Sequence, residues 1–202
     1  QIQETVWLHN FKVNIKEITT RDFQDFRAVF EVALSLCWSG KAENDRINEL
    51  VTKSRIASDN ITILRSYTKY IHQTDFAYKD NFIYEVLIKN YKIAGLLIDF
   101  FHSKFNPDTK LQTDIIKRHI DIQLGEVTSL PEDAILRKYI EVINATLRTN
   151  FFQSDKDGNK KQYISFKLKS QDIGDLPLPK PYVEIFVYSP NMEGVHLRGG
   201  KV

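Results

Sequence analysis

An internal disulfide is closed to this chain, because its 202 residues contain a single cysteine, Cys37. A basic leader followed by an apolar stretch, the mark of a secretory signal, is also missing, so the cytosol is the expected compartment. Long hydrophobic runs are absent: the longest uncharged apolar stretch, Ile93 to Ile98, falls far short of the roughly 20 residues that a spanning helix needs. Charge of one sign is not in excess, with 28 Lys+Arg against 26 Asp+Glu and a net charge of +2, so no global field draws the chain to nucleic acid or to an anionic membrane. Glycine and proline are few, at 8 and 6, which excludes collagen-like and low-complexity polymers. What remains is 42% hydrophobic and 27% charged, the composition of a soluble globular chain able to build one large core.

The motifs of the commonest catalytic chemistries are missing too. No G-x-G-x-x-G, G-x-x-x-x-G-K-[ST] or G-x-S-x-G occurs, which removes phosphate-cradling loops and nucleophile elbows. The histidines, His9, His72, His102, His119 and His196, are separated by 17 to 77 residues, and no metal site is expected. Asp155-Lys156-Asp157-Gly158 opens like a calcium loop, but its glycine falls two positions early and Phe166 stands where the bidentate acid belongs, so it reads as a turn. Cys37, beside Trp38, reads as a buried small hydrophobe rather than a nucleophile. Glu43 and Asp45 read as acids complementing a helix start. Lys160, Lys161, Lys167 and Lys169 read as the solvated face of a hairpin, with the interleaved Tyr163 and Phe166 as the only hint of a nucleic-acid surface.

Helical periodicity governs the chain from Thr19 to Asn150. Thr19 and Asp22 resemble a capping box ahead of Phe23, Phe26, Phe30, Ala33, Leu34 and Cys37, and Gly40 suits a C-terminal cap. Amphipathic helices follow at residues 44–53 and 58–72, the second with Ile61, Leu64, Tyr67 and Ile71 on one face, then at 80–89 and 91–105, where Asn106-Pro107 stops the run. A more polar stretch, residues 109–124, keeps Leu111, Ile115, His119 and Ile122 in register. Pro131 and the acids Glu132 and Asp133 open the last helix, whose stripe of Leu136, Tyr139, Ile140, Ile143 and Leu147 predicts an end near Thr149. The expectation is a bundle of about seven helices.

Outside that span the period is two. Residues 5–15 alternate like a strand, which alone cannot satisfy its ladder hydrogen bonds and must pair with something distant. After the turn cluster 155–159, residues 163–168 alternate, the proline run 176–181 is extended, residues 182–188 are β-prone, and residues 195–197 make a third short strand beyond a turn at 190–194. The fold class is therefore α+β: a helical bundle followed by a small region of two to three strands, with one isolated N-terminal strand. At the far end, glycines allow close backbone approach and Arg198 and Lys201 suit a carboxylate, so Arg198-Gly199-Gly200-Lys201 is the candidate ligand-binding segment. Such a segment fits a site approach better than a C-terminus, and with no initiating Met the chain reads as a segment of something longer.

Residues 145–153 (ATLRTNFFQ), 163–167 (YISFK), 175–181 (DLPLPKP), 184–190 (EIFVYSP) and 193–202 (EGVHLRGGKV) together resemble the large bacterial NAD-specific glutamate dehydrogenases. Residues 38–45 (WSGKAEND) and 64–70 (LRSYTKY) are similar to the helical segment that precedes the catalytic domain in that family. The resemblance covers nearly the whole chain and is weakest between Thr109 and Val127. It implies three parts: residues 1–17 as the last strand of an ACT-like regulatory unit, 18–152 as a helical module, and 153–202 as the strands that begin the glutamate-binding half of the catalytic domain. In the family a catalytic-lysine region and a Rossmann domain for NAD lie further on; neither occurs in this sequence, so no catalytic, cofactor-binding or metal residue is assigned within it. The resemblance further implies a homo-oligomeric cytoplasmic parent that oxidatively deaminates L-glutamate to 2-oxoglutarate and ammonia with NAD. This segment would pack against other domains of the same chain and be inactive alone, with Arg198, Gly199, Gly200 and Lys201 approaching the glutamate carboxylates. The alternative is a non-enzymatic helical protein-interaction module with a β-hairpin appendage, and neither reading involves nucleic acid or a membrane.

Overall fold

The computed structural model describes residues 23–109 and 112–200, together with residues 8, 10 and 12. The expected strand at 5–15, the Thr19/Asp22 cap and Leu111 therefore lie outside the described residues. Within them the chain forms α1 (Phe23–Trp38), α2 (Glu49–Ser54), α3 (Ser58–Ile71), α4 (Asp80–Lys89), α5 (Tyr91–Phe105), α6 (Thr113–Leu124) and α7 (Leu130–Ala145). Four strands follow, β1 (Thr146–Thr149), β2 (Ile164–Leu168), β3 (Val183–Ser189) and β4 (Met192–Arg198), as an antiparallel meander in that order. The α+β class and the helix count match the periodicity, and the strand count exceeds it by one.

The departures have local causes. The last helix stops at Ala145 rather than near Thr149, because Thr146 turns its hydroxyl back onto the Val142 carbonyl at 2.7 Å while the Ala145 carbonyl accepts from Lys169 N at 2.8 Å. Residues 146–149 then pair with β2. The helix expected at 44–53 is split into a 3₁₀ turn, Arg46–Asn48, and α2, since Asn48 is drawn toward the Glu43 carbonyl and Arg65. On α6 the buried stripe is Ile116, Ile120 and Leu124, whereas Ile115 and Ile122 are exposed. Two apolar stripes overlap on that helix, and the one without a histidine spares the cost of desolvating an imidazole. Gly40 ends α1 as expected, at φ +68°, with Lys41 N donating to the Leu36 carbonyl at 2.9 Å.

The helix at the centre of the fold is α3. It is not amphipathic as its spacing suggests: Ile61, Ile63 to Thr68, Tyr70 and Ile71 are all buried, Arg65, Ser66 and Thr68 among them. One side meets the helices and the other meets the sheet through aromatic rings. Tyr67 stacks on Phe166 of β2 with centroids 4.1 Å apart, and Tyr70 meets Phe186 of β3 edge-on at 5.6 Å. Phe101 of α5 closes on Phe166 at 6.1 Å, so residues of helices and strands share one apolar cluster.

His102 on α5 lies against Phe151 and Phe152 and bonds Asn60 Oδ1 through Nε2 at 2.9 Å. Burial lowers its pKa, outweighing Asp99, which raises it, and nearby Lys160 lowers it further. Between the folded and unfolded pKa values the unfolded chain binds more protons, so this histidine weakens the fold as pH falls below its ordinary value of about 6.5. Urea midpoints measured across that range should fall toward acid, and His102→Gln should flatten the dependence. An unchanged profile in the variant would assign the effect elsewhere.

Candidate functional site

The structure carries the candidate segment on the edge strand of the sheet. Val183 pairs with Arg198, Glu184 with Leu197, and the amide of Tyr182 donates to the Arg198 carbonyl at 2.7 Å. All of β4 is exposed, as are Gly199 and Gly200, while Lys201 lies outside the described residues. The backbone of Arg198 is therefore held by β3, and its side chain is solvent-facing.

What holds β3 is polar and buried. Glu184, only 4% exposed, accepts a hydrogen bond from the Tyr70 hydroxyl of α3. Burial first, and then that carboxylate, pushes the Tyr70 phenol far above its usual range, so it remains a neutral donor. At the other end of β3, the Tyr188 hydroxyl donates to Glu43 at 2.9 Å. Two rungs thus tie the strand to the helical part, one of them at the residue next to the Val183–Arg198 pair. A further bond of the same kind joins Tyr67 of α3 to Thr146 of β1 at 2.9 Å, while Thr68 and Tyr139 bond α3 to α7.

Beneath Glu43 lies a buried ion pair. Arg65 is 1% exposed, and its Nε and Nη2 donate to the two oxygens of Asp45 at 2.7 and 2.8 Å, with Nη2 also donating to Asn48 Oδ1 at 2.7 Å. Burial opposes the charge, but Asp45 outweighs it and the guanidinium pKa is raised. The reading of Glu43 and Asp45 as helix-start acids is corrected here: Asp45 makes no side-chain cap and is committed to Arg65. Cys37 is half-buried rather than fully core, its thiol donating to the Glu43 carbonyl at 3.5 Å and pushed up in pKa by burial. Asp155 uses its carboxylate on the amides of Asp157 and Asn159, both at 2.9 Å, which is the turn expected there.

The lysines read as one hairpin face separate. Lys169 pairs with Asp172 at 2.8 Å, whereas Lys160 and Lys161 line a cleft beside α3, Lys160 pairing with Asp59 at 2.5 Å. Sequence reasoning missed Arg65, Tyr70 and Glu184. The signal available was an arginine, a serine and a threonine interrupting the apolar stretch of α3, which only a buried partner could explain. The residues do not fit a dinucleotide: the sheet is wholly antiparallel, and among the described residues no strand, helix and parallel strand form the unit whose glycine turn receives a pyrophosphate. No helix among them is long and apolar enough to cross a membrane.

Helices packed against one face of an antiparallel sheet, with the cation Arg198 at the end of its edge strand, define a domain of the α+β class. Residues 119–202 match the family model described as bacterial NAD-glutamate dehydrogenase, catalytic domain, and residues 42–107 match glutamate dehydrogenase, helical motif 3. The chain is 36% identical over 199 residues to the NAD-specific glutamate dehydrogenase of Halomonas elongata, covering 97% of this chain and 12% of that protein. It is 39% identical over 203 residues to the protein of that name from Pseudomonas aeruginosa, with 97% and 12% covered. With the protein of the same name from Mycobacterium tuberculosis the chain shares 34% over 214 residues, 98% of this chain and 13% of that protein being covered. The chain belongs to the bacterial NAD-glutamate dehydrogenase family, and it spans about an eighth of the length of these relatives.

Proposed function

We propose that this chain serves the NAD-dependent oxidation of L-glutamate to 2-oxoglutarate and ammonia, in the cytoplasm and within a homo-oligomer, as the part that braces and presents a glutamate-approaching strand. The observation that carries this reading is the match of residues 119–202 to the family's catalytic domain, a stretch that includes the strand bearing Arg198. The division at residues 152–153 between a helical module and the first strands of the glutamate-binding half belongs to the same proposal, with NAD and the reacting groups held by other parts of the protein. Arg198 and Lys201 offer cations to a carboxylate, and Gly199 and Gly200 let the backbone come close.

The test is NADH formation from glutamate by this chain alone and by the intact protein. Activity in the intact protein only is expected. Silence in a folded intact protein would instead favour an interaction module. In the active protein, Lys201→Ala and Arg198→Ala should each lower kcat/KM for glutamate by about tenfold, with KM carrying most of the change if the cation serves ground-state binding. An unchanged kcat/KM in both would remove the segment from the substrate site.

A further inference from the structure

We propose that the cleft beside α3 is a binding site for a small anion, a carboxylate or a phosphate, distinct from the Arg198 end of the sheet. The inference does not depend on the catalytic reading above. The cleft has a volume of about 110 Å³ and opens into a wider groove of about 1140 Å³, and Lys41, Lys160 and Lys161 line both. It sits where Ser189 and Pro190 leave β3. Arg198 pairs with Val183 at the opposite end of that strand, roughly 20 Å away at about 3.3 Å per residue.

A buried cation also lines the cleft. Arg65 gives Nε and Nη2 to Asp45 and Asn48, while its Nη1 has no hydrogen-bond acceptor among the described residues. A guanidinium this deeply buried, with donors to spare, favours an anionic oxygen. The surrounding charge agrees. Four cations and one carboxylate, Asp59, line the cleft; with Asp45 behind Arg65 included, cations still exceed carboxylates by two. Glu43, bonded to Tyr188, has Lys69 at 3.9 Å as its counter-charge. Lys41 and Lys161 make no ion pair within 4.0 Å among the described residues; Asp155, at the rim of the wider groove, feels the charge of Lys161 but spends its carboxylate on backbone amides, and Lys161 is steadied by Gln153 at 3.0 Å. An entering anion would meet these two first and compete with Asp59 for Lys160. The volume limits the buried portion of the ligand to one small acidic group, with any remainder in the groove.

Hydrogen–deuterium exchange of the intact protein, with inorganic phosphate, with glutarate, and with chloride at matched ionic strength, tests this. Phosphate or glutarate should slow exchange in peptides covering residues 39–44, 58–62 and 160–163, and the probe that acts identifies the source of the anionic group. The double variant Lys41→Glu/Lys161→Glu, at one exposed and one half-buried lysine, should weaken that protection about tenfold, with circular dichroism and exchange elsewhere unchanged. Protection absent with both probes, equal with chloride, or undiminished in the variant would overturn the site. A glutarate effect confined to peptides at residues 193–200 would report the Arg198 end instead and would also overturn it.

Discussion

Replacing Asp45 by alanine should cost about 3 kcal/mol of unfolding free energy in urea, although Asp45 is a half-buried loop residue that makes no cap. The cause is its partner. Arg65 is only 1% exposed and keeps its charge because Asp45 faces it with two hydrogen bonds, at 2.7 and 2.8 Å. Without that carboxylate the guanidinium stays buried with one strong acceptor, Asn48 at 2.7 Å, which places the expected loss at the low end for a broken buried pair. Arg65→Met in the same chain should restore part of it, since an apolar side chain leaves no uncompensated charge. The double variant should therefore be more stable than the sum of the single effects implies, by about 1–3 kcal/mol. Strict additivity would mean that the two residues act independently and that the pair is not what fixes α3 against the loop before α2.

That pair also marks where sequence reasoning stops. Helices whose stripes are long and strongly apolar were legible almost to the residue: α4 and α5 occupy 80–89 and 91–105, as their spacing predicts. Legibility fails where two local signals compete. On α6 the stripes through Ile115 and Ile116 both place isoleucines at helical spacing, and His119 on the first is the one local difference that favours burying the second. At Thr146 the apolar stripe continues through Leu147, but the hydroxyl contacts to Val142 and Tyr67 belong to the end of the helix and to tertiary structure. The polar rungs are the extreme case. Tyr70 and Glu184 stand 114 residues apart, and nothing local to either reveals the other. The candidate segment, by contrast, is proposed from its own residues, since glycines beside cations carry their chemistry locally. The cleft was not found, because Lys41, Arg65 and Lys160 come from three separate stretches of chain that only the fold brings together.

Phe166→Ala should cost about 3–5 kcal/mol, the loss usual for emptying a buried phenylalanine site, and should do so at both helices and sheet. The ring is fully buried, stacked on Tyr67 at 4.1 Å and met edge-on by Phe101 at 6.1 Å, so the cavity opens between α3, α5 and β2. Phe166→Leu, which refills much of the volume, should recover more than half of the loss. The informative readout is the number of transitions. Far-ultraviolet circular dichroism follows the seven helices, and amide exchange at Ile185 and Val187 follows the centre of the sheet. If helices and strands share one cooperative core, both signals should shift to lower urea together in Phe166→Ala, as a single two-state transition requires. A sheet that opens while the helical signal stays at its original midpoint would show that the strands depend on the helices but not the reverse. The rungs from Tyr70 to Glu184 and from Glu43 to Tyr188 would then be the attachment of a separable sheet, and the position of Arg198 would be set by two hydrogen bonds rather than by the core.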